Sequence, residues 1–343
     1  MPRLLLVGSQ SAGAIENFFT SALTDLGCDV ALFDPSQHVA DGFVTRVRQR
    51  LHDRTLYTRV NECLLQECRT TRPDVVWVFK GIEIMPETIL GLKRMGVLVA
   101  NYNPDHPYIR TSVTHGGGNV AECVPLYDIY LSYHRELVRS LPKTGVWLPF
   151  GFHLPNHLFH LIEAVEEIPR ACFLGTIDAT RVKTLAWLGR SGVPLDVHGP
   201  LNRHARQLGG EANIRLFDEV YGPDFWRVLR SYRVQINLFR THNRGSHNQR
   251  TFEVPAAGGI LLTPDTAEQR EFFESGTEII CYDTELRMFE QIRRLLALDR
   301  VSASRIRVAA RERSLCSGYS YADRAAAAYS VILNALRAAG LAT

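Results

Sequence analysis

Short runs of apolar residues recur through the chain, and they constrain its fold more than any other feature of the sequence. In the first half these runs cover residues 4–7, 30–33, 75–79, 97–100, 129–132 and 146–148. Longer amphipathic stretches separate them, as helices separate the strands of β-α-β units. The runs are apolar throughout instead of alternating, which is typical of strands buried on both faces of a parallel sheet. The first half is therefore predicted to be a doubly wound α/β domain.

A second series of apolar runs follows the Pro- and His-bearing stretch 148–169. It covers residues 171–174, 195–197, 214–217, 234–238, 259–262 and 279–282, and an alanine-rich amphipathic stretch at 321–339 predicts a terminal helix. Two tandem α/β domains suit a length of 343 residues, since one domain usually has about 100–200. We predict a first domain at 1–152, a linker at 153–169, a second domain at 170–318 and the helical segment at 319–343.

The net charge and the cysteine spacing of the sequence exclude several classes of protein. Thirty-nine Lys and Arg against 36 Asp and Glu give a net charge of +3, far from the concentrated positive charge of a nucleic-acid-binding protein. The seven cysteines are scattered without a C-x-x-C pair, which indicates neither a disulfide framework nor a zinc site. No apolar run is long enough for a signal peptide or a membrane span. We therefore expect a cytoplasmic protein.

The first predicted βα turn lies in the region where open α/β sheets bind ligands, outside the carboxyl ends of the strands. Its glycines, Gly8 and Gly13, are spaced as in a P-loop, but Ala14 and Ile15 replace the Lys and Ser/Thr that contact phosphate and magnesium. The turn also lacks the second glycine of the dinucleotide fingerprint G-x-G-x-x-G. Two interpretations remain: Gly8 and Ser9 contact a substrate, or the glycines only turn the chain.

A stiff loop after the fourth predicted strand is a candidate catalytic segment. Two prolines in N-Y-N-P-D-H-P hold Asp105 and His106 at a strand's carboxyl end, where either could remove a proton from a hydroxyl. Alternatively, Asn103 and Asp105 only cap a turn. The glycines 116–118, including Gly117, suit either close ligand approach or a plain loop.

Two segments of the second half combine glycines with cations. Gly175 follows a predicted strand and precedes Arg181, so backbone amides and a guanidinium could hold a diphosphate there. The alternative is an ordinary capped helix with solvated basic residues. In 237–263, a polar loop leads into a helix where Arg250 precedes Glu253 by one turn. Glu253 could accept hydrogen bonds from a ribose and Arg250 could meet phosphate, unless the two only form a surface ion pair.

These segments resemble a known family. The run R-x-F-E-x-x-A-x-G-G-x-L-L-T from Arg250, the preceding I-N-L with Asn237, the F-L-G…R segment and the H-G-P at His198 are similar to the C-terminal half of GT-B glycosyltransferases, specifically the CgeB-like group. The similarity covers about 171–335, and N-Y-N-P-D-H-P and L-P-F-G extend it more loosely. It implies two Rossmann-like domains facing across a cleft, an acceptor site in the first, a nucleotide-sugar donor site in the second, and a C-terminal helix that crosses back.

The resemblance also implies roles for single residues. Glu253 matches the ribose-contacting glutamate of a donor motif whose other glutamate lies eight positions earlier. That position is Gly245 here, so the resemblance gives the contact with sugar or phosphates to His247 or Asn248 instead. His198 is placed in the donor site as well. Because the first glutamate is missing, both retention and inversion of configuration stay open.

The sequence thus predicts a glycosyltransferase that moves a sugar from a nucleoside diphosphate to a hydroxyl-bearing acceptor. No D-x-D motif occurs, and His153, His157 and His160 straddle Pro155 without a carboxylate cluster, so we expect neither a metal nor another cofactor. UDP is the expected nucleotide, with GDP or dTDP as alternatives, and the acceptor is a glycan, a lipid-linked sugar, a protein or a small molecule. A nucleotide-sugar 2-epimerase and a non-catalytic two-lobed binding protein are the alternative functions.

One stretch bears on membrane contact. Residues 42–72 form an amphipathic helical pattern that carries seven arginines: Arg46, Arg48, Arg50, Arg54, Arg59, Arg69 and Arg72. Such a pattern suits peripheral contact with the inner face of a membrane, or the approach of a charged acceptor. Intervening acidic residues dilute the charge, so a solvated helix face is the preferred interpretation.

Overall fold

The computed structural model describes residues 1–11, 13–40, 42, 45, 47–48, 53–109, 118–240 and 245–340. The chain divides into two compact units, one made of Met1–Phe150 with Tyr321–Thr343 and the other of Gly151–Ser320. Each unit is built on a six-stranded sheet in which neighbouring strands run parallel. The predicted pair of doubly wound α/β domains is therefore confirmed.

The first unit has the strand order β2-β1-β3-β4-β5-β6. Its strands are β1 (Arg3–Val7), β2 (Asp29–Phe33), β3 (Val75–Phe79), β4 (Leu98–Asn103), β5 (Ile129–Ser132) and β6 (Gly145–Trp147). Helices α1 (Ile15–Asp25), α2 (Thr58–Thr71), α3 (Pro86–Arg94), α4 (Gly118–Cys123) and α5 (Arg135–Arg139) connect or follow them. The order reverses between β1 and β3, as in flavodoxin-like sheets, so this point is where a ligand crevice is expected.

The second unit has the strand order β12-β11-β10-β7-β8-β9. Its strands are β7 (Ile168–Leu174), β8 (Leu195–His198), β9 (Ile214–Phe217), β10 (Tyr232–Ile236), β11 (Leu261–Pro264) and β12 (Ile280–Tyr282). Its helices are α6 (Asn156–Ile162), α7 (Arg181–Arg190), α8 (Gly222–Ser231), α9 (Arg250–Ala256), α10 (Ala267–Phe272), α11 (Glu285–Leu296) and α12 (Arg300–Cys316). Counted within the unit, this is the Rossmann order, and it reverses between β7 and β10.

The strands form where the sequence places runs of apolar residues. All five residues of β3 and all five of β10 are buried, as expected for central strands covered by helices on both faces. One core cluster of the second unit joins β7, β8, β10 and β11 to α7 and α11 through residues such as Val234, Leu185 and Ile292. This packing fixes the carboxyl ends of the strands, where the candidate site lies.

The last helix, α13 (Tyr321–Ala338), belongs to the first unit although it follows the second in the chain. Tyr321 is buried and its ring stacks on Phe18 of α1 with centroids 5.4 Å apart. Arg324 donates from Nε to the main-chain oxygen of Phe150 at 3.1 Å. The terminal helix thus returns to the first unit, as the fold prediction states.

The ends of the second unit lie side by side. The amide of Phe152 donates to the oxygen of Tyr319 at 3.1 Å, and Phe152 also forms a parallel bridge with Ser320. The segment 153–169, for which the sequence predicts a linker, contains α6 and the start of β7, and Glu167 within it pairs with Arg307 at 2.9 Å. This segment is therefore folded into the second unit.

Most of the described residues in the arginine-rich stretch 42–72 are helical, with Gly42, Asp53 and Arg72 outside the helical segments. A short 3₁₀ turn, Arg54–Tyr57, precedes α2, and Arg48 pairs with Asp53 at 2.7 Å. Arg54 pairs with Glu122, while Arg46 and Arg50 lie outside the described residues. Within the described ranges, no helix has the length and apolarity needed to span a membrane.

Candidate functional site

The reversal point of the second sheet collects the donor-side residues that the sequence predicts. Gly175 directly follows β7, and Asn237 directly follows β10. Strands β7 and β10 are hydrogen-bonded neighbours in the sheet. Because parallel strands end at the same edge, the loops after β7 and β10 leave the sheet side by side. Arg181 begins the helix after β7, and Arg250 begins the helix after β10.

Two glycines let neighbouring loops approach closely at this edge. The amide of Gly175 donates to the oxygen of His198 at 2.9 Å. A Cβ on Gly199 would lie 2.4 Å from the oxygen of Gly175, so a side chain there would collide with backbone. Gly199 also has φ +158°, a value near the edge of the region that favours glycine.

Arg181 ties the loops after β7 and β10 together. Its Nε donates to the main-chain oxygen of Leu238 at 3.1 Å, and its Nη1 donates to that of Thr176 at 2.9 Å. Asp178 accepts from the Arg181 amide at 2.9 Å, which caps the start of α7. Burial, together with the positive charge of Arg240, lowers the pKa of Arg181 to about 10.

The guanidinium of Arg181 forms no ion pair with any carboxylate among the described residues. It lines a cavity of about 440 Å³ at the carboxyl ends of β10, β11 and β12, together with Phe239, Asp265 and Tyr282. A half-buried cation whose hydrogen bonds go to neutral carbonyls retains its capacity to attract an anion. This is the electrostatic feature expected of a diphosphate site.

Arg250 and Glu253 form an ion pair within α9. Arg250 reaches back across the sheet edge, because its Nε donates to the oxygen of Leu174 at 3.3 Å and its guanidinium lies 4.9 Å from the ring centre of Phe225. Burial raises the pKa of Glu253, and the charge of Arg250 opposes that rise. The pair is therefore partly buried at the end of β7, unlike the surface ion pair of the alternative interpretation.

Three arginines that the sequence analysis did not single out hold the carboxyl end of α9. Arg230 and Arg307 donate to the oxygen of Gly258 at 3.0 and 3.1 Å, and Arg311 donates to that of Ala256. Cations at a helix C-terminus satisfy its free carbonyls and oppose its dipole. These arginines lie on α8 and α12, so no local sequence pattern could predict their contacts with α9.

The loop before α9 is fixed by paired polar side chains. Asn237 and Asn248 exchange amide hydrogen bonds of 3.0 and 2.8 Å. The Nδ1 atom of His247, a fully buried residue, lies 2.6 Å from Oε2 of Glu268, which also accepts from Ser246 at 2.6 Å. Asn237, His247 and Asn248 thus shape the loop that carries Arg250, and their contact with a donor stays a prediction.

In the first unit, the turn after β1 is filled by the protein's own carboxylates. A Cβ on Gly8 would lie 2.5 Å from Cγ of Glu16, so the glycine is needed for this close approach. Glu16 accepts from the Ser9 amide at 3.2 Å, and Asp34 accepts from the Gln10 amide at 3.0 Å. The amides of Ser9 and Gln10, which a phosphate-binding loop would offer to its ligand, are therefore already used.

The predicted catalytic residues follow β4. Asp105 is ion-paired with Lys80 at 2.6 Å, and its amide donates to Oδ1 of Asn103 at 2.9 Å, which is the turn-capping bond of the alternative interpretation. Burial and the field of His134 lower the pKa of His106, whose Nδ1 accepts from the Tyr108 amide at 3.3 Å. Gly117 lies outside the described residues.

Sequence reasoning missed Lys80, Glu16 and Asp34. A signal for Lys80 and Asp34 was present, since each directly follows a predicted strand.

Among the described residues, no group of three His, Cys, Asp or Glu side chains is arranged to hold a metal ion.

Comparisons with known proteins bear on the fold and on the sequence pattern of the second unit. Residues 181–330 match the model of a family described as glycosyl transferase-like, and no curated protein matches the chain. A sucrose-phosphate synthase from Thermosynechococcus elongatus is similar over 98% of this chain and 100% of its own, with a TM-score of 0.72 and 10% identity.

Two further solved structures share the fold. Anabaena HepE, in complex with UDP and glucose, has a TM-score of 0.63 at 10% identity, over 97% of this chain and 100% of its own. A Listeria monocytogenes protein assigned as a UDP-N-acetylglucosamine 2-epimerase has a TM-score of 0.57 at 14% identity, over 98% and 97%. The chain thus has the two-domain fold of GT-B glycosyltransferases, and its residues 181–330 carry the sequence pattern of the glycosyl transferase-like family.

Proposed function

We propose that this protein is a glycosyltransferase that moves a sugar from a nucleoside diphosphate to a hydroxyl group of an acceptor. The observation that carries the proposal is the convergence of Arg181 and the Arg250–Glu253 pair on the carboxyl ends of β7 and β10. Nucleotides bind to Rossmann-type sheets at that reversal point.

The chemistry of transfer requires stabilisation of a departing diphosphate. When the bond between the sugar and the diphosphate breaks, negative charge grows on the diphosphate oxygens. Arg181 already faces main-chain carbonyls and pairs with no described carboxylate, so it offers a preorganised positive charge without further rearrangement. In this proposal the arginine supplies the stabilisation that a divalent metal supplies in other transferases.

Glu253 is assigned to the ribose of the donor. Of its carboxylate oxygens, Oε2 pairs with Arg250. Oε1 remains to accept hydrogen bonds, and two adjacent ribose hydroxyls are suitable donors. Support for UDP as the nucleotide comes from Anabaena HepE, which shares the fold and binds UDP and glucose. GDP and dTDP are the alternatives.

The acceptor is assigned to the first unit, at the carboxyl ends of β1 and β4. Asp105 or His106 removes the proton of the acceptor hydroxyl in this proposal, and Asn103 with the Gly8–Ser9 turn lies at the same sheet edge. The same proposal places the protein in the CgeB-like group and in the cytoplasm, and it requires no metal ion for the reaction. Any peripheral contact with a membrane is also part of this proposal.

A 2-epimerase acting on a nucleotide sugar is the second candidate, because the Listeria monocytogenes structure has the same fold. Such an enzyme releases the nucleotide transiently and returns it to an altered sugar, without an acceptor. Incubation with the donor alone separates the two functions, since an epimerase converts the donor to its epimer and a transferase does not.

The first experiment is a thermal-shift series with UDP, GDP, dTDP and their sugar conjugates. A ligand at 100 times its dissociation constant stabilises the folded state by about 2.7 kcal/mol, which gives a measurable rise in Tm. The stabilising donor is then incubated with candidate acceptors, and products are identified by mass spectrometry. A nucleotide that binds without transfer, hydrolysis or epimerisation would indicate a binding protein and contradict the proposal.

A further inference from the structure

His198 ends β8, and only 6% of the residue is exposed. The ring stacks on Phe217 with centroids 4.6 Å apart and an interplanar angle of 11°. It meets Tyr232 edge-on at 5.7 Å. The imidazole is therefore held in one orientation by two aromatic neighbours.

A chain of hydrogen bonds fixes which nitrogen of His198 carries the proton. Asp196 is ion-paired with Arg170 and Arg215, each at 2.6 Å, so it is a carboxylate and accepts only. The hydroxyl of Tyr232 donates its single proton to Asp196 Oδ2 at 2.9 Å. The hydroxyl oxygen of Tyr232 lies 3.0 Å from His198 Nε2 and has no further proton to give, so it must accept a hydrogen bond from that nitrogen.

It follows that Nε2 bears the proton and Nδ1 presents a lone pair. Nδ1 is buried and has no hydrogen-bond partner among the described residues. Buried polar atoms in native proteins are nearly always paired, so such an atom calls for an explanation. Burial also lowers the pKa of His198, so the ring stays neutral near pH 7 and a second proton does not satisfy Nδ1.

The position of His198 indicates what the missing donor is. The residue ends the second strand of a Rossmann-ordered sheet, and its main-chain oxygen accepts from Gly175 at the start of the proposed diphosphate loop. In dinucleotide-binding sheets of this order, the end of the second strand lies beside the nucleoside. A nucleotide whose diphosphate lies at Gly175 therefore places its nucleoside within the neighbourhood of His198.

We propose that His198 Nδ1 accepts a hydrogen bond from the ring N–H of the donor's base. This inference rests on the proposed function and deepens it, because it names the class of base. Uracil, thymine and guanine each carry a ring N–H beside a carbonyl, whereas the corresponding ring nitrogens of cytosine and adenine are acceptors. Phe217, which covers one face of the His198 ring, is 39% exposed, while the proposed hydrogen bond reaches Nδ1 in the plane of that ring.

The test compares UDP with its N3-methyl analogue, which keeps the base but lacks the ring N–H. We expect methylation to weaken binding to the unaltered protein about tenfold by calorimetry, equivalent to about 1.4 kcal/mol. In His198→Phe, a ring of similar size remains but the acceptor is gone, so methylation should cost little. Tyr232→Phe removes the hydroxyl that fixes the tautomer and should reduce the discrimination without abolishing UDP binding.

The outcomes separate the inference from the proposed function. Equal binding of UDP and N3-methyl-UDP by the unaltered protein would overturn the inference alone, and this arm needs no variant that must fold. A methylation penalty that persists in His198→Phe would show steric exclusion and overturn it as well. If UDP, dTDP and GDP all fail to bind, the proposed function is wrong. If dTDP or GDP binds in place of UDP, the same comparison is made with that nucleotide's ring-N-methyl analogue.

Discussion

Arg181 donates from Nε to the main-chain oxygen of Leu238 across 3.1 Å, and this bond joins the start of α7 to the loop that follows β10. The guanidinium is thereby aimed by backbone atoms of two loops instead of by a counter-ion. A cation positioned in this way keeps its orientation whether or not an anion is present. In the proposed function, this fixed orientation preorganises the donor site for a diphosphate.

Replacing Arg181 by Met should weaken nucleoside diphosphate binding by about 1.5–3 kcal/mol, the usual contribution of a hydrogen bond to a charged group. The matched control is Arg190→Met, on the same helix, where an exposed arginine pairs with Glu211. Calorimetric titration of both variants with the stabilising nucleotide measures the difference. Equal affinities in the two variants would remove Arg181 from the site.

Replacing Glu253 by Gln should also weaken nucleotide binding, by a similar 1.5–3 kcal/mol (about tenfold or more), because a carboxylate acceptor is lost. Arg287 and Glu290 provide a matched control, since they form the same i,i+3 pair on the exposed surface of α11. Glu290→Gln should leave the dissociation constant unchanged. Loss of binding in the control variant, or its retention in Glu253→Gln, would contradict the ribose assignment.

Asp196 makes stability depend on pH. Burial would raise its pKa, but hydrogen bonds from Arg215, Arg170 and Tyr232 outweigh burial and lower it below 3.8. A lowered carboxyl pKa stabilises the fold above pH 3.8, and this contribution is lost as pH falls through the folded-state pKa. Asp196→Asn should therefore cost about 1–3 kcal/mol of unfolding free energy at pH 7 and less at low pH.

Denaturant unfolding at several pH values measures that contribution. The control is Asp265→Asn, because Asp265 pairs with an arginine that is two-thirds exposed, Arg270. Exposed pairs contribute little, so this variant should unfold nearly like the unaltered protein. A difference between Asp196→Asn and the unaltered protein that grows on acidification would have the wrong sign for this account.

The proposed role of His106 as the base predicts a pH dependence for the transfer reaction. Burial and His134 lower its pKa below 6.5, while Glu136 opposes the shift. If His106 is the base, kcat/KM should rise with pH through a value below 6.5 and be flat near pH 7. His106→Gln should lower activity and remove that limb. If kcat/KM of this variant still rises with pH in the same range, the base is another group. Asp105 is then tested through Asp105→Asn.

Turnover should survive EDTA. The proposal gives the stabilisation of the leaving diphosphate to Arg181, so chelation should change neither kcat nor KM. The measurement is initial rate with and without EDTA, followed by addition of magnesium or manganese. Restoration of a lost rate by either ion would show that the catalytic class is wrong.

The strands were predictable because each buried parallel strand corresponds to a short run of consecutive apolar residues in the sequence. Residues 75–79 and 129–132, for example, are strands with the same bounds as in the sequence prediction. The order of strands was not predictable in this way. The strand order of the first sheet reverses between β1 and β3, and that of the second sheet reverses between β7 and β10. The position of the reversal depends on how the connections cross over between strands, and the apolar run of a single strand does not indicate it.

The candidate site was predictable where its residues directly follow strands, as Gly175 and Asn237 do. Long-range partners could not be found in this way. Arg307 and Arg311 lie about 50 residues from the helix end that they hold, and Tyr232 lies 34 residues from His198. A hydrogen bond between residues that far apart in the sequence depends on the packed fold, and no local sequence pattern predicts it.

The return of α13 to the first unit sets an order for folding during synthesis. The second unit, Gly151–Ser320, is contiguous, and its ends are joined by the bond between Phe152 and Tyr319. The first unit is discontinuous, because Tyr321 packs on Phe18 only after some three hundred intervening residues have been made. A ribosome that makes this chain therefore releases a complete second unit before α1 acquires its last neighbour, and limited proteolysis of stalled chains should find the second unit protected first.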